Sequence, residues 1–181
     1  MPALWIPRDK LRRGPVESTG EVTFGEDWGP PGFELAEPAR AELRAEESGE
    51  GEVRLTGTLH APLAVTCRRC LDEVAREVEV AIDLRFVPDL DTWDEEPGLY
   101  RLDPHGEELD VAPALREELV LALPDYPVCR EGCRGLCPRC GADRNRGECD
   151  CEEETGDPRW DALRRQLSPE TADSDEDNKD G

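Results

Sequence analysis

The chain has 181 residues and carries 44 acidic against 22 basic side chains, a net charge of −22. Hydrophobic and charged residues each make up 36% of it, enough for one modest core but not for several. No apolar run approaches the ~18 residues of a membrane span, so no membrane partner is expected. A charge this negative repels nucleic acid at long range, so any RNA contact must be local, or the direct partner is a basic protein.

Residues 1–20 are mixed, with Arg8, Lys10, Arg12 and Arg13, and read as a solvated segment. They contain no apolar secretory core, so a cytoplasmic location is expected. The turn Gly29-Pro-Pro-Gly32 separates two expected short strands, 22–24 and 33–35. Across 39–47, Ala39, Ala41, Leu43 and Ala45 alternate with mostly charged residues, which favours a strand although the composition would also suit a helix. Residues 53–67 alternate again, with a break expected at Pro62. Val78, Val80, Ile82, Leu84 and Phe86 then share one face of a strand, and Glu77, Glu79, Asp83 and Arg85 share the other. Cys67-Arg-Arg-Cys70 therefore lies at a turn between two long strands.

Residues 88–108 read as a long acidic loop. A helix is expected from Asp110 as N-cap, with Val111, Leu115, Leu119 and Ala122 on one face and Pro124 as its stop. A second helix is expected over 157–167, with Pro158 at its first position. The acidic stretch 168–181 reads as a disordered tail. The expected fold class is α+β: an antiparallel sheet with a long hairpin, one or two helices, and a C-terminal cysteine-rich zinc-binding segment. The expected division is an acidic strand-rich domain at 1–128, a cysteine-rich segment with its helix at 129–167, and the tail.

Eight cysteines come as four close pairs: Cys67 with Cys70, Cys129 with Cys133, Cys137 with Cys140, and Cys149 with Cys151. Cys137-Pro-Arg-Cys140-Gly141 is a C-x-x-C turn that aims two sulfurs at one ion, and Gly141 can take the positive φ needed on leaving it. Joined to Cys149 and Cys151 by a short loop, it completes a four-thiolate site of the structural zinc type. The two remaining pairs make a second set of four, so two zinc ions are expected. The competing readings are a disulfide framework, a redox dithiol and an iron–sulfur cluster. The first belongs to oxidising compartments, and the second expects a βαβ setting that neither C-x-x-C has.

Zinc catalysis needs an open coordination position and a base. The only histidines are His60 and His105, and neither sits in an H-E-x-x-H pattern. No enzymatic activity and no small-molecule substrate are expected. Arg68, Arg69, Arg130, Arg134, Arg139, Arg144 and Arg146 surround the cysteines in the sequence. They are candidates for phosphate contact. The plainer role is to offset the charge of eight thiolates on two divalent ions, about −4.

Cys67-Arg-Arg-Cys70-Leu71, then Leu121-Ala-Leu-Pro124 with Pro127, then Gly135-Leu-Cys-Pro-Arg-Cys-Gly141 together resemble the YceD family, also called DUF177, over about residues 50–167. The resemblance implies a bacterial or plastid protein linked to ribosome biogenesis and to accumulation of large-subunit ribosomal RNA. Its partner would be that RNA or a basic ribosomal protein. Some members resemble this chain only through the first C-x-x-C and a short pair after the L-P-x-x-P stretch. That implies Cys67, Cys70, Cys129 and Cys133 as one unit and Cys137, Cys140, Cys149 and Cys151 as an added one. The spacer Ala142-Asp-Arg-Asn145 departs from the family's Asn-rich one. The function expected is a non-enzymatic zinc-binding factor in large-subunit biogenesis. The alternatives are an acidic sheet face that holds a basic ribosomal protein, and a zinc-stapled interaction module unrelated to ribosomes.

Overall fold

A computed structural model describes residues 4–25, 28–48, 51–88, 96–103, 105–147, 149–151, 158–161 and 163. The chain runs β1 (Trp5–Pro7), α1 (Arg8–Leu11), β2 (Val16–Val22), β3 (Phe33–Leu35), β4 (Ala39–Glu47), β5 (Val53–Thr66), β6 (Glu73–Val87), β7 (Leu99–Arg101), β8 (Glu108–Asp110) and α2 (Ala112–Ala122), with a 3-10 turn at Pro158–Trp160. Six strands form one sheet in the order β2-β4-β5-β6-β7, with β3 also on β5; β1 and β8 form a separate two-stranded ribbon. The pairings are antiparallel except for β6 with β7, which is parallel. The class is α+β.

Alternation produces this sheet. Ala39, Ala41, Leu43 and Ala45 of β4, Leu55, Leu59 and Leu63 of β5, and Ile82, Leu84 and Phe86 of β6 are buried on one face. Ala114, Leu115 and Leu119 of α2 join the same core, and α2 packs on β6 and β5. Gly57 sits where β4 passes close to β5. It has φ of 148°, and a Cβ there would lie 2.0 Å from the Glu42 carbonyl oxygen, so only glycine fits.

Several expectations are corrected. Pro62 does not interrupt its strand, because β5 runs through it to Thr66. Its carbonyl accepts from the Ala36 N–H at 2.9 Å. Its nitrogen therefore points at the gap between the end of β3 and the start of β4, where no ladder bond is lost. The strand expected at 22–24 instead covers 16–22 and ends where it was expected to begin. Ser18 and Gly20 oppose Leu43 and Ala41 on the inward face, which hides the apolar alternation.

Residues 1–20 are not merely solvated: β1, α1 and β2 lie there, and Arg8 is 6% exposed. Its guanidinium donates to the carbonyls of Asp103 (2.8 Å) and Gly106 (3.4 Å) and lies 4.0 Å from Glu47. The expected loop at 88–108 holds β7, where Tyr100 stacks on Phe86 with centroids 5.5 Å apart. Val111, not Asp110, takes the N-cap position of α2, although the Asp110 carboxylate still accepts from the Ala112 N–H at 3.1 Å. Ala122 is exposed. Leu123 is extended ahead of Pro124, which ends the helix. Of the expected second helix, Pro158–Trp160 is a 3-10 turn and Asp161 and Leu163 are helical. Its other positions, and the tail at 168–181, lie outside the described residues.

The outer face of the sheet is mixed in sign. Arg54 forks onto Asp83 at 2.8 and 2.9 Å, and Arg44 pairs with Glu46 and Glu17. Among the described residues, no helix is long and apolar enough to cross a membrane.

Candidate metal centres

The two C-x-x-C segments fold into the same turn. In the first, the Cys67 N–H donates to Asp72 (2.9 Å) and the Leu71 N–H to Cys67 (3.0 Å). In the second, Cys137 N–H donates to Ala142 (2.8 Å) and Gly141 N–H to Cys137 (2.9 Å). Each turn leaves through a positive φ, 72° at Gly141 and 62° at Leu71, the only non-glycine with positive φ among the described residues. The shared geometry points the amides of the turn back at the first sulfur. Burial pushes the Cys67 thiol up, but the backbone N–H groups of Cys70, Arg69 and Cys129 outweigh it and hold the group down at about 6. The N–H groups of Cys140 and Arg139 hold Cys137 down at about 6 in the same way.

Around each turn the sulfurs converge in fours. Cys67, Cys70, Cys129 and Cys133 form one group, and Cys137, Cys140, Cys149 and Cys151 the other, with all sulfurs in a group within 4.8 Å of one another. In the first group, Cys67 and Cys133 sulfurs are 3.9 Å apart and Cys70 and Cys129 sulfurs 3.7 Å. A regular tetrahedron with Zn–S of ~2.3 Å has edges of about 3.8 Å. A disulfide would need about 2.05 Å, and all eight cysteines are free thiols.

Protonation is uneven within each four. Burial and the Cys133 thiol push Cys129 up, and the Cys140 thiol beside Cys151 pushes that group up to about 12. Each group thus pairs a ready thiolate with a thiol, and a divalent ion would displace the remaining protons. The donor set and edge lengths fit a soft, tetrahedral ion held by Cys67, Cys70, Cys129 and Cys133. The convergence of Cys137, Cys140, Cys149 and Cys151 fits a second.

The first group, buried except for a half-buried Cys129, belongs to two distant parts of the chain. Cys67, Cys70 and Cys133 pack with Val74, Val128 and Leu136 in a small apolar cluster of their own. The hairpin tip is tied to the C-terminal segment by backbone bonds from Arg68 N–H to Pro127 (2.9 Å) and from Leu136 N–H to Arg69 (3.0 Å). Gly135 has φ of 70°, and a Cβ there would meet the Arg69 carbonyl oxygen at 2.8 Å. The Arg76 guanidinium donates to the carbonyls of Val128 (2.9 Å) and Cys129 (3.3 Å).

The seven candidate arginines divide. Arg69 donates to the carbonyls of Cys133 (3.0 Å) and Glu131 (3.3 Å). Arg130 donates to Asn145 at 3.0 Å, and Arg146 pairs with Asp143 (3.1 Å) and Asp72 (3.5 Å). These three hold the fold together. Arg68, Arg134 and Arg139 are exposed, as are Arg69, Arg130 and Arg146, and Arg144 is half-buried.

Three polar residues of the centre were not singled out in the sequence: Arg76, Asp143 and Asn145. Asn145 donates to the Cys133 sulfur at 3.5 Å and to Asp143 at 2.8 Å. The signals available were its place between Cys140 and Cys149 and the comparison of its spacer with the family's Asn-rich one.

Known proteins share much of this chain. The family model described as "Large ribosomal RNA subunit accumulation protein YceD" matches residues 55–165. An uncharacterised protein of Mycobacterium tuberculosis is 39% identical over 133 residues, covering 72% of this chain and 62% of the relative. An uncharacterised Mycobacterium leprae protein is 29% identical over 142 residues, 76% of this chain and 63% of its own length. The chloroplastic large ribosomal RNA subunit accumulation protein YCED homolog 1 of Arabidopsis thaliana is 24% identical over 139 residues, 62% of this chain and 43% of the relative. The matched region therefore spans less than two thirds of each of these relatives. No solved structure matches. With a family model covering more than half its length and both cysteine groups inside that region, the chain belongs to the YceD family.

Proposed function

We propose that this protein is a zinc-stapled factor of large-subunit ribosome biogenesis that works by binding, in the cytoplasm, and not by catalysis. The observation that carries it is the pair of four-cysteine groups in a chain of the YceD family. Four thiolates on one tetrahedral ion leave no open position for substrate or water. The ions would then act as structural rivets that present the knuckle turns.

Large-subunit RNA is the partner this reading favours, contacted through the exposed arginines of the turns. Arg68 is the best probe, because its guanidinium makes no hydrogen bond or ion pair among the described residues. Depletion of the protein is expected to lower mature large-subunit RNA relative to small-subunit RNA. An unchanged ratio, with normal subunit profiles on a gradient, would sink the proposal. Arg68→Glu should weaken RNA binding and flatten its salt dependence by about one ion. A net charge of −22 supports a second reading, a basic ribosomal protein as direct partner. On that reading Arg68→Glu still binds, and reversing Glu77 and Glu79 abolishes binding.

A further inference from the structure

Asn145 belongs to one cysteine group by sequence and to the other by contact. It lies in the loop between Cys140 and Cys149, which the second group closes. Its side-chain amide donates to the sulfur of Cys133, a member of the first group, at 3.5 Å. The orientation of that amide is fixed on both sides. Its oxygen accepts from the Arg134 backbone N–H (2.8 Å) and the Arg130 guanidinium (3.0 Å). Its nitrogen also faces the Asp143 carboxylate at 2.8 Å, which accepts from the Asn145 backbone N–H as well (2.9 Å). A flipped amide would set donors against donors and an oxygen against a carboxylate and a sulfur.

The loop is seated on the first group by two more contacts. Leu136 and Asp143 form a backbone bridge, and the Arg144 N–H donates to Gly135 at 2.9 Å. Metal in the second group would fix both ends of this loop, at Cys140 and Cys149. Without it, the loop loses the tie at Cys149 and rests on the hydrogen bonds just described. The donor that reaches Cys133 would then be delivered only part of the time. A hydrogen bond to a ligand sulfur fixes the direction in which it faces the ion.

We infer that Asn145 couples the two metal centres, so that filling the Cys137–Cys151 group raises the metal affinity of the Cys67–Cys133 group. Coupling of this kind is reciprocal: filling the first group strengthens the second by the same factor. The inference rests on both groups holding metal; it does not depend on the ribosomal role.

The test uses the full chain, freed of metal under reducing conditions and titrated with Co2+ against a competing chelator. The thiolate-to-cobalt absorption reports occupancy. Cys140→Ser with Cys149→Ser disables the second group. The affinity of the first should fall by about 10- to 100-fold, the usual effect of losing a partner of a metal ligand. Asn145→Ala in the otherwise intact chain should cost the first group a similar factor, and combining it with the double serine change should add little. Asn145→Asp separates the roles of the amide: it keeps an acceptor for Arg130 and Arg134 but loses the donor to Cys133. It should weaken the first group at least as much as alanine.

First-group affinity that is indifferent to the state of the second would overturn the inference. So would coupling that survives in Asn145→Asp, even where the alanine variant fails to fold. Two independent ions would leave the metal reading standing without the coupling, whereas a chain that takes up no Co2+ or Zn2+ removes both.

Discussion

The first cysteine group draws on Cys70 and Cys129, which are 59 residues apart, whereas the second takes all four ligands from residues 137–151. The turns are nearly superimposable in hydrogen bonding, yet they are used differently. The first is buried, with Cys67 at 0% exposure, and clamps the tip of the β5–β6 hairpin to the C-terminal segment. The second is more open, with Cys140 exposed, and draws all its ligands from one short loop. Closing 59 residues rather than nine removes about 1.7 kcal/mol more chain entropy by the logarithmic loop rule. The first metal would therefore be a tertiary cross-link, and the second a local one.

The strongest way to break this contrast is to remove one ligand from each. Cys67→Ser is expected to lose one metal and release the C-terminal segment from the hairpin, costing roughly 3 kcal/mol or more of stability. Cys137→Ser should lose the other metal and weaken the first, lowering the thermal stability of the sheet by less than Cys67→Ser does. Elemental analysis and circular dichroism melting measure both. Equal losses of melting temperature would show that the two centres do not differ in kind.

Accessibility sharpens the contrast next. A chelator at neutral pH should strip the more open second group before the more buried first, in two resolved kinetic phases; a single phase would contradict it. Acid should release both. The folded Cys67 and Cys137 thiols sit at about 6, below the ordinary value of 9.0. The stabilisation from these two thiolates is thus full above pH 9. It shrinks as pH falls and is gone once pH drops through about 6. The unfolding of the metal-free chain, measured from pH 9 to 5, should show that decline.

The smallest expected effect lies at the exits of the turns. Gly141→Ala forces a Cβ into a left-handed conformation and should cost about 1 kcal/mol. Leu71→Gly should relieve a similar strain, offset in part by the greater freedom of glycine in the unfolded chain. Leu71 is also 64% exposed, so it contributes little burial where it stands. A marked loss of stability in Leu71→Gly would show that this side chain has a packing role that its exposure conceals.

What was readable in the sequence follows the same physical line. The β5–β6 hairpin, β4 and the cysteine turns announce themselves through period-two alternation or fixed ligand spacing, both local signals. β2 was misplaced because Ser18 and Gly20 occupy inward positions. β7 pairs over three residues only, too few for a pattern. Pro62 is tolerated because of where β3 ends, a fact of topology and not of neighbouring residues. Arg8 and Asn145 were missed for one reason: their partners lie 95 and 12 residues away. A polar side chain that works at a distance looks like any other in a charged chain.

The ribbon of β1 and β8 carries a consequence in time. Trp5 pairs with Asp110, and Arg8 is held by carbonyls at Asp103 and Gly106. None of these partners exists when Trp5 and Arg8 are first made. At ~5–20 residues per second of synthesis, β1 waits about 5–20 seconds for β8. Meanwhile the β4–β5–β6 meander can already pair, since its contacts are with chain neighbours. The earlier-made half of this ribbon is thus among the last elements to be secured. Nascent chains halted before residue 108 should expose Arg8 and α1 to protease while protecting β4 to β6.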